Sequence, residues 1–457
     1  MRRALVLLAA LPLLAQAGTR PRYGGTLKVA VAGLKSEPDP LLADTPELAA
    51  LQQLTQPGLC RLDARGQAHP VLAQDFIRPL PQRVRIPLRP TPAGEAVLTA
   101  SDVANAWARL FQSGTASPYR ALLSPLRGEA RQLPSAAAAQ GALEFALAYN
   151  WPDFERSLCH PALAVARPKA QPSWGPYVPG PQGTLSANPT APEGRAFPDR
   201  LTLSPTTERG AARLLASKGA HIVLGTGEDS AVSPPALFAT YLAFAPQRVG
   251  PDFRARFEAA IDRADLVRFF VRAPATAMYQ LLPPALMPQQ PLPRPAAPAP
   301  LTVPKDLTLV FDSGLEDARA VAERIQVRLH DRGYKIALRA VSRSDLRAIW
   351  ASGDFDLMLH PLLLPPVPGP ALAVTMEAAG RHDLLPVELP LIGNIADPSA
   401  RDARARERAE ALRPSLSFIP LYAQGLRVQA SAAVANLGFD AQGLPILEEA
   451  FLVDPGL

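Results

Sequence analysis

The chain has 457 residues, with 47 Lys or Arg against 41 Asp or Glu, a net charge of +6. At roughly 100–200 residues per domain that length holds two or three domains, and 48% apolar with 19% charged residues excludes a wholly disordered chain. Its 52 Pro exclude long uninterrupted helices, and with them coiled coils and multi-span membrane bundles.

At the N-terminus, Arg2 and Arg3 precede an apolar run from Ala4 to Leu14, followed by Ala15-Gln16-Ala17. A charged start, a short apolar stretch and an A-x-A site describe a secretory signal peptide, residues 1–17. The run is shorter than the about 20 residues a membrane span needs. No Cys follows the cleavage site, so no lipid anchor is indicated. The mature protein is expected to be soluble, exported and periplasmic. Cys60 and Cys159 then form a disulfide in an oxidising compartment, or sit apart as two small buried residues.

Thr26 to Val31 alternates as a strand does, and Thr45-Pro46-Glu47 opens a helix with Thr as N-cap. Thr99 to Asp102 reads as a capping box ahead of Val103, Trp107 and Leu110 at helical spacing. Leu143 to Ala148 reads as a strand, residues 168–198 as a crossing segment or loop, and Pro251 to Phe270 as helix. Residues 283–304 carry nine Pro in 22 and predict an extended linker. Beyond it, Leu307–Phe311, Leu315–Arg332, Ile336–Ala340, Ser344–Ala351 and Phe355–Leu359 predict β-α-β-α-β, hence a parallel sheet. Such sheets bind ligands beyond the carboxyl ends of their strands, which points to the segment after Leu359.

Catalytic signatures are missing. No G-x-S-x-G elbow, Walker loop or H-E-x-x-H helix occurs, and the six His show no paired ligand spacing, so no metal or cofactor is expected. Gly225-Thr-Gly227 lacks the third Gly of a dinucleotide loop and reads as a turn. Asp354 and Asp356 read as a solvated pair, and Arg401–Arg408 as an exposed helix face of mixed charge. Nothing resembles a basic stripe with interleaved aromatics, so nucleic acid is not an expected partner.

Several segments in order resemble the family 5 extracellular solute-binding proteins of ABC transporters, the dipeptide- and oligopeptide-binding type. They are Tyr23-Gly-Gly-Thr-Leu-Lys28, Ser36-Glu-Pro-Asp-Pro40, Gly58-Leu59 through Leu62-Asp63 to Leu72-Ala73, and Leu98-Thr-Ala-Ser-Asp-Val103. Gly175-Pro-Tyr177 with Asn188-Pro189, Phe257–Leu266, Gly353–Leu357 and Phe418-Ile-Pro-Leu-Tyr422 continue the series across nearly the whole mature chain.

The resemblance implies an α/β, two-lobed periplasmic binding protein fold with a discontinuous first lobe and an inserted small domain. The corresponding division is lobe I at 18–60, 170–250 and 415–457, the small domain at 61–169, and lobe II at 251–414. It further implies a monomer that encloses a small ligand by hinge closure and delivers it to ABC permease subunits. The alternative is a repurposed relative acting as a non-transport periplasmic scaffold or partner-binding protein. No enzyme activity and no cofactor are implied.

Where peptide-binding members carry a Trp and acidic residues after the "gdfDl" unit, this chain has Pro361, Leu364 and Val367. A ligand ammonium buried against Leu and Val would stay unpaired at a cost of several kcal/mol, so the expected pocket is more apolar than the family's. Candidate ligand contacts are Lys35 after the first strand, Trp174 and Tyr177 near the crossover, Tyr241 and Phe244, and His360 and Leu364 beyond the last predicted strand. Each also has a structural reading, as a solvated Lys or as packing in the core or hinge.

Overall fold

The computed structural model describes residues 21–32, 45–90, 98–112, 116–126, 141–165, 173–225 and 235–454, apart from 273, 294 and 297. Residues 1–17, read from the sequence as a signal peptide, and Lys35 lie outside the described residues.

The described residues build two six-stranded sheets. The first runs Val428–Ala430, Ile222–Leu224, Thr26–Ala32, Arg200–Thr206, Thr184–Ala187, Tyr177–Pro179, with Thr26–Ala32 parallel to both of its neighbours. The second runs Ala275–Ala277, Phe418–Gln424, Phe238–Phe244, Leu357–Leu363, Lys305–Asp312, Tyr334–Val341. Its last three strands are parallel, in the β-α-β-α-β order read from the sequence, with Ala318–His330 and Arg343–Ser352 as the helices. The first sheet thus has a parallel centre with antiparallel strands at both edges, and the second has parallel strands at one edge and antiparallel strands at the other.

Local chemistry accounts for many boundaries. Thr45 caps Pro46–Gln53 by accepting from the Leu48 N–H, and Thr99 with Asp102 forms a reciprocal capping box on Ala100–Ala108. Gly353 ends Arg343–Ser352 in the left-handed conformation, φ 69°. Gly175 of the Gly-Pro-Tyr motif has a different reason: a Cβ there would stand 2.4 Å from the Leu54 carbonyl oxygen, so only glycine fits against that helix end.

Four expectations need correction. Phe238–Phe244 and Phe418–Gln424, expected in the first lobe, hydrogen-bond within the second sheet. The segment at 168–198, read as a crossing segment or loop, contributes from its described part the last two strands of the first sheet, Thr184–Ala187 and, at the edge, Tyr177–Pro179. The helix expected over 251–270 is two, broken at Ile261, because the Asp262 side chain caps the second by accepting from the Ala264 and Asp265 N–H groups. The strand expected to stop at Leu359 spans Leu357–Leu363, held between Phe238–Phe244 and Lys305–Asp312.

Residues 60–165 contribute a hairpin (Cys60–Leu62 with Ala68–Pro70) and a three-stranded sheet (Ile77–Leu80, Arg83–Pro87, Ala142–Ala146). They share one core with the helices after the second sheet's strands, since Trp107, Tyr119 and Trp151 pack with Leu364, Val374 and Ile392. Cys60 and Cys159 are joined by a disulfide across 99 residues. A buried ion pair ties the same faces: Arg401 donates to both Asp153 carboxylate oxygens at 2.8 and 3.1 Å.

Candidate functional site

The sequence-derived candidates do not converge. His360 lies within the strand Leu357–Leu363, opposite Tyr241, with its ring against Trp350 and Phe418. Leu364 is 0% exposed and donates its N–H to the Leu237 carbonyl at 2.9 Å. Tyr241 is equally buried, its hydroxyl donating to the Leu281 carbonyl at 2.8 Å and its ring stacked on Phe418. Phe244 packs against Phe253 in the second sheet's core. Tyr177 is buried in the core of the first sheet. Trp174 lines a cavity, but one between residues 61–89 and the C-terminal segment. All six described candidates therefore lie away from the crevice described next.

The crevice that does form lies between the two sheets. It is a cavity of about 120 Å³ lined from one side by Val31, Ala32, Glu47 and Gly225, and from the other by Gly314–Ala318, Arg343 and Tyr422. Arg427, on the chain crossing back from Gln424 to the first sheet, closes one wall. Val31, Ala32 and Gly225 are at or just past the carboxyl ends of the parallel strands Thr26–Ala32 and Ile222–Leu224. Gly314 and Arg343 follow the carboxyl ends of Lys305–Asp312 and Tyr334–Val341. Both sheets thus bring the carboxyl ends of parallel strands to this crevice, the place where such sheets bind ligands. The segment after Leu359, to which the sequence reading applied the rule, does not line this crevice.

Charged side chains stand in the lining beside apolar ones such as Val31, Leu48, Phe238 and Leu315. Glu47 stands in the first turn of Pro46–Gln53, and burial raises its carboxyl above the usual range even with Arg343 and Arg427 acting against that rise. Burial likewise pulls the Arg427 guanidinium down, against the fields of Asp317, Glu47 and Glu316. Gly225, at φ 86°, lets Glu47 approach, since a Cβ there would meet its Oε1 at 3.4 Å. Arg343 is anchored by Asp312, which accepts from its Nε at 2.9 Å. Asp317 accepts from the Arg272 N–H and the Gln424 side-chain amide.

The apolar pocket expected from the sequence was placed on other residues: Leu364 and Val367 are buried and do not line this crevice. Glu47, Arg343 and Arg427 were missed. The available signal was their position: Glu47 in the first turn of the helix that Thr45 caps, Arg343 two residues beyond a strand end.

No family model matches the sequence, and no curated protein matches it. Solved structures do. The ABC transporter-associated periplasmic binding protein DppA from Helicobacter pylori, in complex with the peptide STSA, superposes with a TM-score of 0.74 at 15% identity, covering 95% of this chain and 99% of that one. The murein tripeptide binding protein MppA of Escherichia coli gives 0.73 at 17% identity, over 94% of this chain and 99% of that one. The chain has the periplasmic solute-binding protein fold. NikA from Staphylococcus aureus, in complex with Ni(L-His)2, gives 0.72 at 13% identity over 94% of this chain and 100% of that one.

These neighbours are peptide- and nickel-binding members of the family whose motifs the sequence resembles. Within the binding-protein fold, the charged crevice is the space between the two sheets. Among the described residues no group of His, Cys, Asp and Glu could hold a metal ion, and no helix is long and apolar enough to cross a membrane.

Proposed function

We propose that this protein is the periplasmic substrate-binding component of an ABC importer, non-catalytic and monomeric. It captures a small ligand between two lobes by hinge closure and passes it to membrane permease subunits. The lobes centre on the two sheets: 21–32, 173–225 and 427–454 form the first, 235–425 the second, and 60–165 the inserted small domain. The observation that carries this reading is the crevice at the carboxyl ends of both sheets, lined by Glu47, Arg343 and Arg427. Charged side chains of both signs along a crevice offer a polar ligand ion-pair and hydrogen-bond partners. At about 120 Å³ the cavity is below the roughly 300–1,000 Å³ of drug-sized ligand sites. The ligand is therefore small, with charged and apolar side chains both available to contact it.

The test is native mass spectrometry of the mature protein purified gently from its own host, followed by titration of the wild type and Glu47→Gln. A stoichiometric small-molecule adduct whose affinity falls about tenfold or more in the variant supports the reading. A bare polypeptide mass, unchanged across amino acids, short peptides and their metal complexes, overturns it.

One observation favours the alternative, a repurposed relative serving as a periplasmic scaffold. The segment where peptide-binding relatives are expected to hold the ammonium is buried here, and the main chain of Leu363 is bonded on both sides by Tyr119 and His160. A protein partner recovered by crosslinking in the periplasm, with no small-molecule adduct, would establish that role.

A further inference from the structure

The crevice divides its charges between two walls. On the wall of the first sheet stands Glu47, its carboxylate held from its own helix by a hydrogen bond from the Thr45 side chain. On the wall of the second sheet stands Arg343, fixed by two hydrogen bonds of 2.9 Å, from Nε and Nη2, to Asp312. Asp312 is itself 2% exposed and pinned by the Gly314 N–H at 2.7 Å, so this guanidinium is held in place from behind. The acids of the second wall, Glu316 and Asp317, are engaged by Arg272 at 3.1 and 3.8 Å.

Glu47 feels the fields of Arg343 and of Arg427 on the crossing segment, yet among the described residues it has no cation within ion-pair distance. A salt bridge serving only to latch the walls together would join these charges directly. Here each is fixed by its own element and a gap is left between them. Such a gap fits a ligand with a cation at one end and an anion at the other, and that ligand draws both walls together when it binds. No His, Cys, Asp and Glu converge among the described residues to hold a metal ion, so the cation that suits Glu47 is an organic ammonium. Between the two charges, Val31, Leu48, Phe238 and Leu315 offer apolar contacts. The cavity of about 120 Å³ has room for one residue rather than a chain of them.

We propose that the crevice ligand is a single amino acid with an apolar side chain, its ammonium on Glu47 and its carboxylate on Arg343. The proposal rests on the import-receptor reading and names its substrate class. It places the ammonium on the wall of the first sheet, away from the buried Leu364 and Val367.

The test is calorimetric titration of the full mature chain, washed free of bound ligand, with four probes. These are L-leucine, leucic acid (a hydroxyl in place of the ammonium), isopentylamine (no carboxylate) and the dipeptide leucyl-leucine. The expected result is saturable leucine binding, tighter than each of the other three by about tenfold or more. Glu47→Gln should erase the advantage of leucine over leucic acid. Leucine binding no tighter than leucic acid or the dipeptide, or an advantage that survives Glu47→Gln, overturns the proposal and leaves the receptor reading standing. Failure to bind leucine, with another adduct found by native mass spectrometry, does the same. No binding and no adduct overturn both. If Glu47→Gln fails to fold, the four probes on the wild type decide alone.

Discussion

The Tyr119 hydroxyl accepts a hydrogen bond from the Leu363 N–H at 2.9 Å, joining the 3-10 helix Pro118–Leu123 to the end of a central strand of the second sheet. On the other side of the same residue, His160 Nε2 donates to the Leu363 carbonyl at 2.9 Å while its Nδ1 accepts from the Ala162 N–H. The two rings stack, with centroids 4.5 Å apart. A strand end that looks from the sequence like the mouth of a site is thereby satisfied from within.

Replacing Tyr119 by Phe keeps the ring and removes the acceptor, leaving the buried Leu363 N–H unsatisfied. The expected loss is about 1–3 kcal/mol of folding stability, measured by urea denaturation. Titration of the crevice ligand should be unaffected, because Tyr119 does not line that cavity.

Arg401→Ala should cost more, about 3–5 kcal/mol. It removes a bidentate partner from Asp153, whose side chain is almost wholly buried, leaving Arg156 at 3.3 Å as its remaining cation. Removing both charges together with Asp153→Leu should recover part of the loss, and a double-mutant cycle on denaturation midpoints checks it.

Reduction of the Cys60–Cys159 disulfide releases a loop spanning 99 residues. The unfolded chain gains most from that release, so the protein should lose about 2–5 kcal/mol. Denaturation with and without reductant, compared with a Cys60→Ala and Cys159→Ala variant, reads the difference.

The pH dependence follows from Glu448 and Asp440, each raised by burial to about 7. As pH climbs from the ordinary carboxyl range towards about 7, the unfolded chain gives up these protons before the folded chain does. Stability should therefore fall across that window, and Glu448→Gln should flatten the fall. The slope is moderated because the Glu448 side chain keeps about a quarter of its exposure. Thermal midpoints of wild type and variant across this range test it; equal slopes would remove Glu448 as the cause.

What the sequence determined by itself was local and periodic. Thr45 and Thr99 marked helix starts because a capping side chain acts within three residues. The strand–helix alternation from Leu307 onward predicted the parallel strands because those elements carry their own hydrophobic period. The end of the last of those strands was not legible: Leu357 to Val367 is apolar apart from His360, so no period marks where the strand stops and buried packing begins. The crevice was beyond sequence reasoning for a different reason. Glu47, Arg343 and Arg427 are scattered along the chain and meet only where two sheets present their carboxyl ends to each other. The same holds for Arg61 and the carboxylates of Glu193, Glu448 and Glu449 beside it, and for the cysteines 99 residues apart. Local sequence sets the conformation of each element, while the partner of a charge or a thiol is set by which elements pack together.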